Sequence, residues 1–75
     1  MSRPGMRRFE LVRTRDVSGV SGTGVVADGV EFPDGLVFLR WRGRVRSYSF
    51  FENGVPEMLE IHGHGGATRV RWIDS

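Results

Sequence analysis

Two histidines, His62 and His64, are the only pair of side chains in the sequence whose spacing suggests a metal site. Both could reach one ion, but a structural zinc site needs four ligands and the chain has no cysteine. The nearest acids, Glu57 and Glu60, belong to a segment predicted to be a helix, which need not direct them toward that ion. We therefore expect one histidine at a helix end and one in a loop, with no metal and no other cofactor.

Nucleophilic and acid–base chemistry has little support in the sequence. The chain has neither Cys nor Lys, and no serine has a recognisable catalytic motif around it. Nine acidic residues occur, yet no two stand in a context that suggests matched carboxylates. The sequence predicts a protein that is not an enzyme and has no catalytic residues.

A glycine-rich segment from Asp16 to Gly24, DVSGVSGTG, could in principle bind an anion through its backbone amides. No Gly-Lys-Ser or Gly-Lys-Thr follows it, and the next residues have the pattern of a strand rather than a helix. A plain connecting loop is the better interpretation. Whether residues 18–24 bind a small anionic ligand stays open at this point.

A run of arginines suggests a nucleic-acid-binding surface. Arginine occurs at every second position over residues 40–46, near Phe38 and Tyr48, and again in the last predicted strand. Guanidinium groups contact phosphates, and exposed aromatic rings stack on bases. The candidate nucleic-acid-binding residues are Arg40, Arg42, Arg44, Arg46, Arg69 and Arg71.

The overall charge permits nucleic-acid binding without requiring it. All eleven basic residues are arginine, but nine acidic residues reduce the net charge to +2. Arginines that alternate along a strand can equally form its solvated face. This second interpretation is at least as well supported as the first.

The elements that must position these side chains form a meander of three strands over residues 24–51. Asp34-Gly35 stands between two β-rich runs and is typical of a two-residue hairpin loop, which would place Phe32 opposite Val37. Because side chains alternate along a strand, this register predicts a single core face. Its residues are Val30, Phe32, Val37, Leu39 and Trp41.

The second turn, at residues 42–44, is predicted to be a three-residue loop that pairs Trp41 with Val45; a two-residue loop would change these pairings. The third strand is apolar on both sides, so that Leu36 and Phe38 cannot enter the core together with Val37. An exposed apolar surface of this size indicates contact with another chain. The predicted self-association residues are Leu36, Phe38, Tyr48 and Phe50, and a homodimer is the simplest assembly.

The remaining patterns predict further strands over residues 9–14 and 68–74, and a short helix over residues 55–62 with Gly63 in the left-handed conformation after it. Gly29, in the middle of the second strand, is expected to mark a bulge or a sharp bend, as at the corner of a small barrel. Five short strands with one helical turn before the last are typical of an SH3-like barrel. We expect this mainly β fold rather than an open sheet with one helix, and an OB-type barrel fits less well.

A 75-residue chain allows one domain with marginal stability. Residues 1–8 are predicted to be a flexible basic segment and residues 9–75 a single small β-barrel domain. No apolar run reaches the length of a membrane span, and the N-terminus has no secretory apolar region. The predicted localisation is cytoplasmic.

Several motifs, SGVSGTGVV, VEFPDG, LRW, IHGHGG and TRVRWID, lie along most of the chain. Together they resemble a family of short uncharacterised proteins of prokaryotes and their phages. The resemblance implies a free-standing small protein in a phage context, in the host cytoplasm, and implies no activity. The function expected from the exposed apolar surface is that of a small binding module for proteins, including itself, and in a phage context it would be an accessory or inhibitor protein. The alternative is a nucleic-acid-binding barrel that uses the arginine and aromatic hairpin.

Overall fold

A computed structural model describes residues 5–15 and 23–74 of the chain. In chain order its elements are the strands β1 (Arg7–Arg13), β2 (Gly24–Glu31), β3 (Val37–Trp41) and β4 (Ser47–Phe51), the helix α1 (Gly54–His62), a 3₁₀ turn (His64–Gly66) and the strand β5 (Thr68–Trp72). All five predicted strands and the predicted helix are present. Two predicted segments lie partly outside the described residues: residues 1–4 of the flexible segment and residues 16–22 of the glycine-rich loop. Arg7 and Arg8, which were assigned to the flexible segment, belong to β1.

The five strands form one antiparallel sheet in the order β4-β3-β2-β1-β5. Strands β4 and β5 are its two edges, and within the described parts of the chain no ladder joins them. The predicted mainly β class is confirmed, but the predicted closure into an SH3-like barrel is not, since the sheet is open. Helix α1 packs against one face, called here the inner face, and the outer face has no described element over it. None of the described helices is long and apolar enough to cross a membrane.

The core lies between the inner face and α1. Its largest fully buried side chains are Phe9, Leu11, Val37, Leu39 and Met58. The predicted core residues Val37 and Leu39 are therefore confirmed, and Trp41 packs partly buried against the same cluster. Trp72 is also on the inner face, but this edge-strand residue remains 37% exposed, with the Arg7 guanidinium 4.0 Å from its ring centre.

The first hairpin differs from the predicted register by one residue. Its loop has three residues, Pro33 to Gly35, because the Gly35 amide donates to the Phe32 carbonyl and the Phe32 amide donates to the Leu36 carbonyl. Gly35 has a φ of 98°, as expected when a three-residue loop ends in a left-handed residue. Val30 consequently pairs with Phe38 instead of Leu39, and the prediction that Val30 and Phe32 face the core was wrong.

The second hairpin has a longer loop than predicted. Trp41 pairs with Ser47 rather than with Val45, so residues 42–46 form the loop. The shift is two residues, and an even shift leaves every side chain on its predicted face. Phe38, Tyr48 and Phe50 therefore share the outer face as expected.

Gly29 is not the site of a β-bulge in β2. Its partner on β1 is Phe9, and the irregularity in the β1–β2 ladder lies instead opposite the Leu11–Val12 step, where Val26 is the extra residue. A Cβ atom at residue 29 would lie 2.3 Å from the Phe9 ring. Gly29 thus leaves room for a core aromatic ring and is not a bulge of the kind expected at a barrel corner.

Helix α1 ends against a glycine for a steric reason. Gly63 has right-handed angles (φ −74°, ψ −25°), so the predicted left-handed conformation is wrong. A Cβ atom there would lie 2.4 Å from the Leu59 carbonyl oxygen, which accepts a hydrogen bond from the Gly63 amide. The left-handed residues follow at His64, Gly65 and Gly66.

Candidate interaction surface on the outer face of the sheet

The outer face is divided into an apolar half and a charged half. Strand pairing brings Val30, Phe38 and Phe50 into one row across β2, β3 and β4. The next row along the strands contains Tyr48, Arg40, Asp28, Glu10 and Arg71, from one edge of the sheet to the other. The sheet therefore presents aromatic side chains near β4 and mixed charges toward β5.

The centre of the apolar half is an aromatic cluster of Phe38, Tyr48 and Phe50. The ring centre of Phe38 lies 5.7 Å from that of Tyr48 and 5.4 Å from that of Phe50, within the range of favourable aromatic pairs. Tyr48 is 58% exposed and Phe50 66% exposed, whereas Phe38 is partly covered between them. The cluster is held in place by the β3–β4 ladder and is accessible from solvent.

The apolar surface continues beyond the cluster toward the first hairpin loop. A shallow groove runs along Leu36 and Phe38, with Phe32 on one side and Phe50 on the other. Asp34 and Glu52 also line it, so its rim is acidic. All four predicted self-association residues are thus brought to one surface.

Sequence reasoning missed Val30 and Phe32 as members of this surface. Both were assigned to the core because Asp34-Gly35 was interpreted as a two-residue loop. The signal that identifies the longer loop is Pro33, which suits the first central position of a type I turn followed by Asp and a left-handed Gly. Asp34 supports that turn by accepting a hydrogen bond from the Leu36 amide.

The charged half is largely neutralised by ion pairs. Arg42 donates two hydrogen bonds to the Asp28 carboxylate, at 2.9 and 2.7 Å, and its guanidinium also lies 3.7 Å from Glu10. Arg71 donates two hydrogen bonds to the same Glu10. The hydrogen bonds from Arg42 lower the pKa of Asp28, and those to Asp28 raise the pKa of Arg42. Asp28 therefore stays ionised as the hydrogen-bond partner of Arg42.

The six arginines predicted to bind nucleic acid do not form one cluster. Arg40 lies on β3 opposite Tyr48, and Arg42, Arg44 and Arg46 belong to the loop between β3 and β4. Arg69 and Arg71 lie on β5, three strands from β3, which corresponds to about 14 Å across the sheet. The sequence-predicted surface therefore consists of a loop group and an edge group, which are linked where Arg42 and Arg71 both pair with Glu10.

The two histidines lie apart from this surface. The His62 ring packs edge-on against Trp41 at 4.9 Å and Phe51 at 5.6 Å, while His64 is exposed in the 3₁₀ turn. Burial lowers the pKa of His62, with smaller contributions from His64 and Arg13. Among the residues that the structure describes, no three His, Cys, Asp or Glu side chains converge on a common point. His62 thus contributes to packing between α1 and the sheet.

Comparison with known proteins places the chain in a family. The family model described as Acb5 phage protein matches residues 6–74, which includes every strand and the helix. The chain belongs to the Acb5 phage protein family. The resemblance to a family of short phage proteins is thereby confirmed. No curated protein and no solved structure matches this Acb5 family member.

Proposed function

We propose that this protein is a small, non-enzymatic binding module that acts through the apolar half of its outer face, and that one of its partners is a second copy of itself. The observation that carries the proposal is the exposed aromatic cluster of Phe38, Tyr48 and Phe50. Aromatic side chains dominate the energetics of protein interfaces, and a contiguous exposed apolar surface is a marker of an interaction site. The acidic rim formed by Asp34 and Glu52 suits an interface with a polar border.

Phage origin supports a role in the infected cell. A short protein with one packed face and one exposed binding face can cover or sequester another protein without performing chemistry. An accessory or inhibitor protein in the host cytoplasm fits this description. A host or phage protein with an apolar surface and a basic border is the chemistry that the rim would favour.

A nucleic-acid-binding function is the second candidate. It is supported by the position of Arg40, which lies directly across the ladder from Tyr48 and beside Phe38. A base could stack on the aromatic ring while the guanidinium contacts a phosphate. It is weakened by the ion pairs of Arg42 and Arg71, because these guanidinium groups would have to exchange a carboxylate for a phosphate.

One pair of measurements separates the two candidates. Light scattering of the wild-type protein at high micromolar concentration is expected to give the mass of a dimer, and Phe38→Glu is expected to give a folded monomer. Titration with fluorescent single-stranded and duplex oligonucleotides at two salt concentrations is expected to show no salt-dependent binding. A monomeric wild-type protein that binds oligonucleotides, and binds them less strongly with a flatter salt dependence in the Arg42→Ala, Arg44→Ala double variant, would favour the second candidate instead.

A further inference from the structure

Among the residues that the structure describes, the edge strand β4 pairs on one side only, with β3, and its five residues carry no charge. In an antiparallel ladder, alternate residues direct their amide and carbonyl groups to the same neighbour. Two hydrogen bonds show which residues of β3 direct their backbone groups toward β2. The Phe32 amide donates to the Leu36 carbonyl, and the Arg42 amide donates to the Val26 carbonyl. Residues 38 and 40, which alternate with residues 36 and 42, therefore also bond toward β2. Residues 37, 39 and 41 therefore bond toward β4, and the backbone groups of Tyr48 and Phe50 point away from the sheet.

The side chains along this edge complement those of a second copy that runs antiparallel to it. Over residues 46–52 it is Arg-Ser-Tyr-Ser-Phe-Phe-Glu, centred on Ser49. If two copies pair antiparallel about Ser49, Tyr48 of each copy faces Phe50 of the other, and Arg46 of each faces Glu52 of the other. All four side chains lie on the outer face, because they share the parity of Tyr48 and Phe50.

The same register satisfies the backbone. Tyr48 and Phe50 are the residues whose amide and carbonyl groups point outward, so the facing pairs are the ones that can exchange two hydrogen bonds each. Aromatic pairs and pairs of opposite charge that face each other across strands are also stabilising. We propose that the protein dimerises by antiparallel pairing of β4 with β4 of a second copy, which makes one continuous ten-stranded sheet with a continuous aromatic outer surface.

The opposite edge of the sheet does not offer this arrangement. Antiparallel pairing of β5 about Val70 would place Arg69 of one copy against Arg71 of the other, and like charges that face each other are destabilising. Charged side chains on an edge strand are a common protection against such pairing. Only one of the two edges is therefore suited to self-association.

The inference rests on the proposed self-association and adds its geometry, so the test must separate the two. Arg46→Glu and Glu52→Arg each place like charges together at two symmetric positions, and each is expected to weaken dimerisation about tenfold at low salt. The double variant exchanges the charges and is expected to return to within about threefold of wild type. Sedimentation velocity over a concentration series measures all four proteins, and circular dichroism checks that each is folded.

A cysteine placed on the symmetry axis gives an independent readout. The chain contains no cysteine, and in the proposed register the two copies of residue 49 face each other in a non-hydrogen-bonded pair with about 4.5 Å between their Cα atoms. That separation is compatible with a disulfide, so Ser49→Cys is expected to form a covalent dimer under mild oxidation. Ser47→Cys is the matched control, since its copies would be offset by four residues, or about 13 Å, and should not be linked.

The outcomes distinguish self-association as such from self-association by β4 pairing. Charge-swap rescue together with linkage at residue 49 supports β4 pairing. A wild-type dimer with no rescue and no linkage overturns β4 pairing and leaves self-association through the face of the aromatic cluster. A wild-type protein that is monomeric throughout the concentration series overturns both.

Discussion

The ring of Phe9 occupies the space in which a side chain on Gly29 would lie. The two residues pair across the β1–β2 ladder, and a Cβ atom at residue 29 would be 2.3 to 2.7 Å from three atoms of the Phe9 ring. Phe9 is 1% exposed and also packs edge-on against Trp72, with 5.2 Å between ring centres. The Phe9–Trp72 contact joins β1 to the edge strand β5, and the position of the Phe9 ring requires glycine at residue 29 of the central strand β2.

Gly29→Ala is therefore expected to be strongly destabilising for so small a change. The substituted methyl group would meet a buried ring, and overpacking of a core typically costs about 1–3 kcal/mol. The φ of Gly29 is not positive, so backbone strain does not contribute. The free energy of unfolding from urea titration measures the loss.

A double variant isolates the cause of that loss. Phe9→Leu removes the ring atoms that a Cβ at residue 29 would meet, so adding Gly29→Ala to Phe9→Leu should cost clearly less than adding it to the wild type. If the two costs are equal, the close contact with Phe9 is not the reason for glycine at this position.

Docking of α1 on the sheet depends on Met58. Its side chain is fully buried at the centre of the core, and Met58→Ala is expected to lower the free energy of unfolding by about 2–5 kcal/mol. Ile61, on the same helix, is 58% exposed, and Ile61→Ala should change that free energy by no more than about 0.5 kcal/mol. Thermal and urea unfolding of both variants tests this contrast. Equal losses in the two variants would contradict the described packing of α1.

The position of His62 makes stability depend on pH. Burial lowers the pKa of His62 in the folded protein below its usual value of 6.5, so between these two values the unfolded chain binds more protons than the folded one. The contribution of neutral His62 to the free energy of unfolding is fully present above pH 6.5 and is lost as the pH falls through the lowered pKa of the folded protein. Urea midpoints should therefore decrease from pH 7.5 to pH 5. Asp74, whose pKa is lowered to about 2 by its hydrogen bonds from Arg8, titrates well below this window.

Substitution of each histidine assigns the effect. His62→Gln should remove most of the decrease between pH 7.5 and pH 5, although it also loses the ring contacts with Trp41 and Phe51. His64→Gln should retain most of it, because His64 is exposed and acts on His62 only through its charge. An unchanged pH dependence in His62→Gln would show that other groups are responsible.

The sequence predicted the strands and helix because the local signals for them are strong. Alternation of apolar residues located β1 and β5, and the helix predicted over residues 55–62 begins within a residue of the observed start of α1. The predicted register of the second hairpin was wrong by two residues. Because side chains alternate with a period of two, a shift of two residues leaves each side chain on the predicted face of the sheet. Phe38, Tyr48 and Phe50 were therefore correctly placed on one face.

The length of the first hairpin loop was misjudged although Pro33 is a local signal for it, whereas closure of the sheet depends on distant contacts. The length of the first hairpin loop is fixed by hydrogen bonds of Phe32 with Gly35 and Leu36, and one residue of difference moved Val30 and Phe32 to the outer face. Whether a five-stranded sheet closes depends on how its edges meet in space. A mid-strand glycine has the same sequence signal whether it bends a strand or, as at Gly29, accommodates a ring from a neighbouring strand.

The central claim, that the exposed aromatic cluster is a self-association surface, is tested most directly by one matched sedimentation experiment. Phe50 and Ile61 are both large apolar residues, 66% and 58% exposed, but only Phe50 belongs to the cluster. Burial of a Phe side chain contributes about 1.5–3 kcal/mol per subunit before association costs, so Phe50→Ser should weaken dimerisation at least tenfold while Ile61→Ser leaves it unchanged. A wild-type protein that sediments as a monomer at high micromolar concentration, or a Phe50→Ser variant that dimerises like the wild type, would contradict the claim.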